Sequence, residues 1–159
     1  MVSNPKKLTV KNLSITSVEV LNHPVKDMGK RKIDVDGSFY ISGEDAQNIK
    51  EGEQIRLLGL GNILITKQGE ELEGEHVKDG DIKSIPKIQW VSQKTAHEIK
   101  IIIPKILFID EKFNEDSLEE TLAYCEPHYL QIKDGDEIQF IRFGYCRKDS
   151  QNQAIFTHK

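Results

Sequence analysis

Ile33-Asp34-Val35-Asp36-Gly37-Ser38-Phe39-Tyr40-Ile41 is the stretch whose reading decides the fold class. Two β-prone runs flank Asp36-Gly37, and Asp-Gly readily supplies the positive φ that a two-residue hairpin turn needs. The stretch therefore predicts two strands joined as a hairpin. Outward from it, apolar residues recur at period two or in short blocks, which is strand behaviour. Strands are expected at Leu8–Leu13, Ser17–Leu21, Gln54–Leu58, Ile63–Thr66, Ile85–Ser92, Glu98–Ile103, Ile106–Ile109, Leu130–Lys133, Glu137–Arg147 and Ala154–Thr157. Helix signals are few. Ser42 caps a short helix with Asp45 three residues on, and Asp116–Leu122 reads as a second one. Many short strands separated by turn signals predict an all-β barrel or sandwich.

Composition narrows the class further. The chain has 159 residues, which as a prior suggests one domain, and is 37% hydrophobic, 30% charged and 7% aromatic. That balance excludes disorder and coiled coil as leading readings. The most apolar stretch, Ile99–Ile109, contains Lys100, Pro104 and Lys105, so no membrane span is expected. The first residues lack an apolar run after Lys6-Lys7, so no signal peptide is expected. Two cysteines, Cys125 and Cys146, are too few for a secreted disulfide scaffold and point to reduced thiols in the cytoplasm.

The net charge of −4 argues by itself against a broad phosphate-binding surface. The charge is uneven, however. Residues 1–32 carry seven basic and two acidic side chains, a local +5, which leaves −9 over the remainder. Such asymmetry fits either a localised anionic partner or a solvated basic face. A second compositional break lies at residues 68–86, rich in Glu, Asp and Gly, and a domain transition is placed at 82–88.

Catalytic motifs are not found. There is no phosphate loop ending in Lys-Ser/Thr, no Gly-x-Ser-x-Gly elbow and no His-Glu-x-x-His helix. Cys125 and His128 invite a thiol–imidazole pair, but packing and surface explain them equally well. Cys125, His128, Cys146 and His158 could supply four zinc ligands, yet Pro127 interrupts the first pair and the second spacing matches no zinc knuckle. The acidic residues between 110 and 120 lack the ligand alternation and central glycine of a calcium loop. No catalytic or metal-binding residue is assigned.

The segment Gly135–Asp149 carries the most chemistry. One long strand would hold Gln139, Arg142 and Arg147 together with Phe140, Phe143 and Tyr145. A Gln amide offers a donor and an acceptor to a base edge, and Arg binds phosphate or base edges through two donors. Aromatic rings stack unpaired bases, as recognition of single-stranded RNA requires. The same pattern fits a barrel strand with aromatics inward and polar groups in water.

Four blocks then give the chain a family likeness. They are Asn4-Pro5-Lys6-Lys7-Leu8-Thr9-Val10, then Asn22-His23-Pro24 with Met28-Gly29-Lys30-Arg31, then Ile88-Gln89-Trp90-Val91-Ser92, and finally Gln139-Phe140-Ile141-Arg142-Phe143-Gly144-Tyr145. In this order they resemble the C-terminal anticodon-binding region of the glutamyl-/glutaminyl-tRNA synthetase family, most closely the archaeal and eukaryotic glutamyl type. The resemblance implies two β-barrels, the distal one inserted in the proximal one, with short helices. Residues 1–13 and 88–159 would form the proximal barrel and residues 14–87 the distal barrel.

The resemblance also implies roles. Gln139 and Arg142 would contact the central uridine of the anticodon, and Arg56 the first base. Asn48 occupies the position where glutaminyl enzymes carry an Arg for the third base, with Lys50 nearby, which leans toward the glutamyl type. Lys30, Arg31, Tyr145 and Arg147 are further expected RNA contacts. Another Arg of the family would precede Met1. The implied partners are glutamate tRNA, with glutamine tRNA as the alternative, and the N-terminal catalytic domain of the same enzyme. ATP and Mg2+ would serve that domain, with no cofactor here.

Gln139 and Arg142 are three apart, so a straight strand would point them to opposite faces. A bulge or strand end is therefore expected between Gln139 and Gly144. A rival reading from another class is a β-barrel protein-interaction module that presents Tyr40, Trp90 and Phe108, although these read as core residues.

Overall fold

The computed structural model describes residues 1–22, 29–78 and 84–159. In chain order the elements are β1 (Val2–Ser3), β2 (Lys6–Lys11), β3 (Ser17–Leu21), β4 (Lys30–Asp34), β5 (Ser38–Ile41), α1 (Gly43–Asn48), β6 (Gln54–Leu57), β7 (Gly61–Lys67), β8 (Leu72–Val77), β9 (Lys87–Ile88) and β10 (Trp90–Ser92). They continue as β11 (His97–Pro104), β12 (Phe108–Ile109), β13 (Lys112–Phe113), β14 (Leu118–Cys125), a 3-10 helix Pro127–Gln131, β15 (Glu137–Phe140), β16 (Gly144–Ser150) and β17 (Gln153–His158). The fold is all-β with few, short helices, and its two large sheets are curled half-barrels. No helix among the described residues is long and apolar enough to cross a membrane.

Two compact units divide the chain. One gathers Met1, Ser3 and His97–Lys159, and the other Val2 and Asn4–Ala96. The expected boundaries at 13/14 and 87/88 differ from this division. The reason is pairing: β2 bonds to β5 and β8, and β10 bonds to β5, so both strands go with the longer unit.

The longer unit carries a seven-stranded sheet ordered β10-β5-β2-β8-β7-β6-β9 and a separate hairpin β3-β4. Alternation builds its core: Leu8 and Val10 of β2 turn inward while Lys7, Thr9 and Lys11 stay out. Phe39, Ile41, Ile55, Leu57, Ile63 and Leu72 join them, each at most 2% exposed. Each such side chain contributes about 1.5–3 kcal/mol of burial. Trp90 closes one end, edge-on to Phe39 at 5.1 Å and donating its indole N–H to Leu58 O at 2.8 Å. Helix α1 starts as expected: the Ser42 hydroxyl accepts from Asp45 N at 3.1 Å and donates to the Asp45 carboxylate at 2.9 Å.

The Asp36-Gly37 hairpin is corrected. β4 and β5 do not pair; Ile33 lies opposite Val18, whereas Phe39 lies opposite Leu8. Gly37, at φ +92°, is a corner between two sheets, and its carbonyl accepts from Val10 N at 2.7 Å. A Cβ there would stand 2.7 Å from Val10 O, so the glycine permits a close crossing. The expected strand over 85–92 is also two strands, because β9 bonds to β6 and β10 to β5. The expected domain transition overlaps residues 79–83, which lie outside the described ones.

The shorter unit has the sheet order β1-β14-β11-β17-β16-β15 and a small hairpin β12-β13. Ile99 and Ile101 of β11, Ala123 and Cys125 of β14, Phe140, Cys146 and Ala154 form its core. The expected helix at 116–122 is a strand: β14 pairs along its whole length with β11, and Thr121, Ala123 and Cys125 alternate inward. The expected strand at 130–133 is instead the end of the 3-10 helix, which Pro127 initiates, and the bend that leads toward β15. Tyr129 anchors that helix, its hydroxyl bonded to the carbonyls of Ser150 and Gln153. The buried Lys148 donates to Ile132 O at 2.6 Å and pairs with Asp134 at 3.2 Å. Phe108, expected in a core, is 57% exposed on the β12-β13 hairpin, Tyr40 is half-buried, and Trp90 is buried.

Candidate nucleic-acid interface

Gln139, Arg142, Tyr145 and Arg147 come together on one hairpin. The expected single strand 137–147 is two: β15 pairs with β16, Gln139 opposite Tyr145 and Phe140 opposite Gly144. Ile141, Arg142 and Phe143 make the loop, closed by the Phe143 N–H donating to Phe140 O at 3.0 Å. The expected break between Gln139 and Gly144 is therefore a full reversal of the chain. Arg142 occupies the third position of this turn at φ +67°, where a type II turn favours Gly or Asn. An arginine there costs roughly 1–2 kcal/mol of left-handed strain, and it sets the guanidinium at the exposed tip.

The aromatics of this segment divide between two environments. Phe140 is buried and stacks on Tyr129 at 6.5 Å; Phe143 packs edge-on to Phe156 at 5.8 Å. Tyr145 takes the other face, half-buried, with Gln139 and Arg147 exposed beside it. His158, opposite Tyr145 on β17, lies parallel to its ring at 4.5 Å and 9°. The His158 ring is also fixed by Thr157, whose hydroxyl lies 3.1 Å from Nδ1 and donates to Tyr145 O at 3.1 Å. Gly144 makes the approach of β17 possible, since a Cβ there would stand 2.7 Å from His158 O and from the Phe156 ring. The result is one sheet face carrying an amide, a backed aromatic ring and the Arg147 guanidinium, with Arg142 exposed on the turn at the hairpin's end. Arg147 faces Glu137 across the ladder and lies 3.7 Å from Asp149.

The remaining expected contacts lie on the longer unit. Arg56, half-buried on β6, donates from Nη1 to Asn62 Oδ1 at 2.7 Å. Asn48 ends helix α1 and donates its amide to Glu44 O at 2.9 Å. Lys50 is exposed, and its backbone N–H donates to Glu53 at 3.0 Å in the turn before β6. Lys30 is exposed with Glu19 at 3.5 Å, whereas Arg31 donates to Leu21 O at 2.7 Å and so helps close the β3-β4 hairpin. Most of the Asn22–Met28 part of that sequence block lies outside the described residues.

Both thiols are buried and reduced. Cys125 donates to His97 O at 3.4 Å, and burial pushes it up to about 12; burial pushes Cys146 up to about 11. Neither is poised as a nucleophile. Two residues of these constellations, Asn62 and His158, are missed by sequence reasoning. Asn62 falls between two expected strands and His158 is weighed only as a candidate zinc ligand; strand register brings each to its partner.

A family model described as tRNA synthetases class I (E and Q), anti-codon binding domain, matches residues 1–85, and a second of the same description matches residues 87–149. A glutamate--tRNA ligase of Nitrosopumilus maritimus is 70% identical over 159 residues, covering 100% of this chain and 28% of the relative. One from Cenarchaeum symbiosum is 45% identical over 158 residues, covering 99% and 28%. A bifunctional glutamate/proline--tRNA ligase of Mus musculus is 31% identical over 160 residues, covering 86% and 10%. The chain thus spans 28% of the length of the archaeal relatives it most resembles among these.

Proposed function

The chain belongs to the anticodon-binding domains of class I glutamate and glutamine tRNA synthetases, and from that premise we propose that it reads the anticodon of glutamate tRNA for a glutamate--tRNA ligase. The whole enzyme would join glutamate to the tRNA with ATP and Mg2+. Both would be used by its catalytic domain. Its setting would be the cytoplasm.

The observation that carries the reading is the β15-β16 hairpin, with Gln139 beside the backed Tyr145 ring and Arg142 at the strained tip. A splayed central uridine presents an imino donor and carbonyl acceptors along one edge. The Gln139 amide complements that edge with one acceptor and two donors. Arg142 supplies further donors to the base or its phosphate. Tyr145 offers a face for the base, which replaces part of the stacking lost on splaying. Arg56 takes the first base and Asn48 with Lys50 the third, while Lys30, Arg31 and Arg147 meet backbone phosphates, which position the RNA without specifying it.

Binding of glutamate tRNA transcripts at fixed low salt tests this reading. Substituting the central anticodon base, or Gln139→Ala, should each weaken binding roughly tenfold, about 1.4 kcal/mol. The two losses should not add when combined, because they remove the same contact. Equal binding to all transcripts would sink the base-reading role.

A further inference from the structure

Asn62 is fully buried in β7, yet its carboxamide has a partner on one side only. Its Oδ1 accepts from Arg56 Nη1 at 2.7 Å, and the two residues are directly opposite in the β6-β7 ladder. Its Nδ2 is buried with no hydrogen-bond partner among the described residues. Its successors along the strand, Ile63, Leu64 and Ile65, are aliphatic. A leucine at 62 would extend that run and remove an orphaned buried donor, which destabilises a fold. The amide thus acts against stability on its nitrogen side, and its oxygen serves Arg56.

A guanidinium is a planar fork of five donors. A bond to a buried, immobile oxygen restrains the plane of that fork. Ordering the side chain beforehand lowers the entropy lost when a ligand binds. We infer that Asn62 is a positioning residue that holds the Arg56 guanidinium for the edge of the first anticodon base. The inference rests on the assignment of Arg56 to that base.

The test compares the full chain and its variants on anticodon stem-loop RNAs that differ only at the first anticodon base, with thermal melts in parallel. Asn62→Leu should reduce the affinity ratio between the cognate and substituted loops roughly tenfold while the melting temperature holds or rises. Asn62→Asp keeps the acceptor oxygen and should keep most of the ratio. Discrimination at the central base should stay at its wild-type value in both. A wild-type first-base ratio in Asn62→Leu would overturn the inference. So would a loss in both variants that merely tracks a fall in melting temperature. Arg56→Ala separates the two levels. If it leaves the ratio intact, the Arg56 assignment itself fails, and the inference with it. If it abolishes the ratio while Asn62→Leu does not, only the positioning role fails.

Discussion

Gln139 faces Tyr145 directly across the β15-β16 ladder, so amide and ring share one face of the sheet, with His158 stacked behind the ring at 4.5 Å. Stacking on an aromatic side chain is worth about 1–3 kcal/mol per base. Tyr145→Leu should therefore weaken RNA binding by roughly 5- to 150-fold with little change in melting temperature. Titration of an anticodon stem-loop at constant salt measures this; undiminished affinity would mean that no base uses the ring.

Arg142 combines backbone strain with an exposed guanidinium at the hairpin tip. Arg142→Gly removes the strain and should raise stability by about 1 kcal/mol. The same change should lower RNA affinity at least several-fold. Opposite signs in the melt and in the titration are the expected signature, and a parallel loss in both would contradict it.

Gly144→Ala should do the reverse of Arg142→Gly. At φ +142° it demands a backbone that L residues rarely adopt, and the added methyl meets His158 O and the Phe156 ring at 2.7 Å. A loss of about 1–3 kcal/mol is expected. Urea unfolding would report it as a lower midpoint at unchanged slope.

Alkaline pH should destabilise the shorter unit through its thiols. Burial raises both above their ordinary 9.0, Cys125 to about 12 and Cys146 to about 11. Their contribution is whole below pH 9 and is lost as pH rises toward those values, because the unfolded chain ionises first. Each thiol removes about 1 kcal/mol per pH unit in that window. Cys146→Ala should flatten the decline in a series of denaturant melts, and neither thiol should react with a disulfide reagent at neutral pH until the protein unfolds.

Strand content was legible in the sequence because it is written in local alternation, as Leu8 and Val10 or Ile99 and Ile101 illustrate. Partnership was not. Ile33–Ile41 has all the local marks of a hairpin, yet Ile33 packs opposite Val18 and Phe39 opposite Leu8, choices set by which faces a distant strand can cover. Asp116–Leu122 failed for a similar reason, since eight ladder pairs with β11 override a weak helical preference. At the interface, Gln139, Arg142 and Arg56 were named from residue type and family likeness. Asn62 and His158 needed register, which residue type does not encode.

The parallel pairing of β2 with β8 places Leu8 opposite Leu72. The strand that enters the sheet early in the chain waits for a neighbour more than sixty residues later, and β5 waits for Trp90–Ser92. Loop closure over such spans is an entropic barrier that precedes most of the stabilising contacts. Folding of the longer unit should accordingly fall in the slow range of β-rich domains, milliseconds to seconds, as a late and concerted closure. On a ribosome, the half-made sheet would expose Leu8, Phe39 and Ile41 until synthesis passes residue 92, a vulnerable interval that the finished structure conceals.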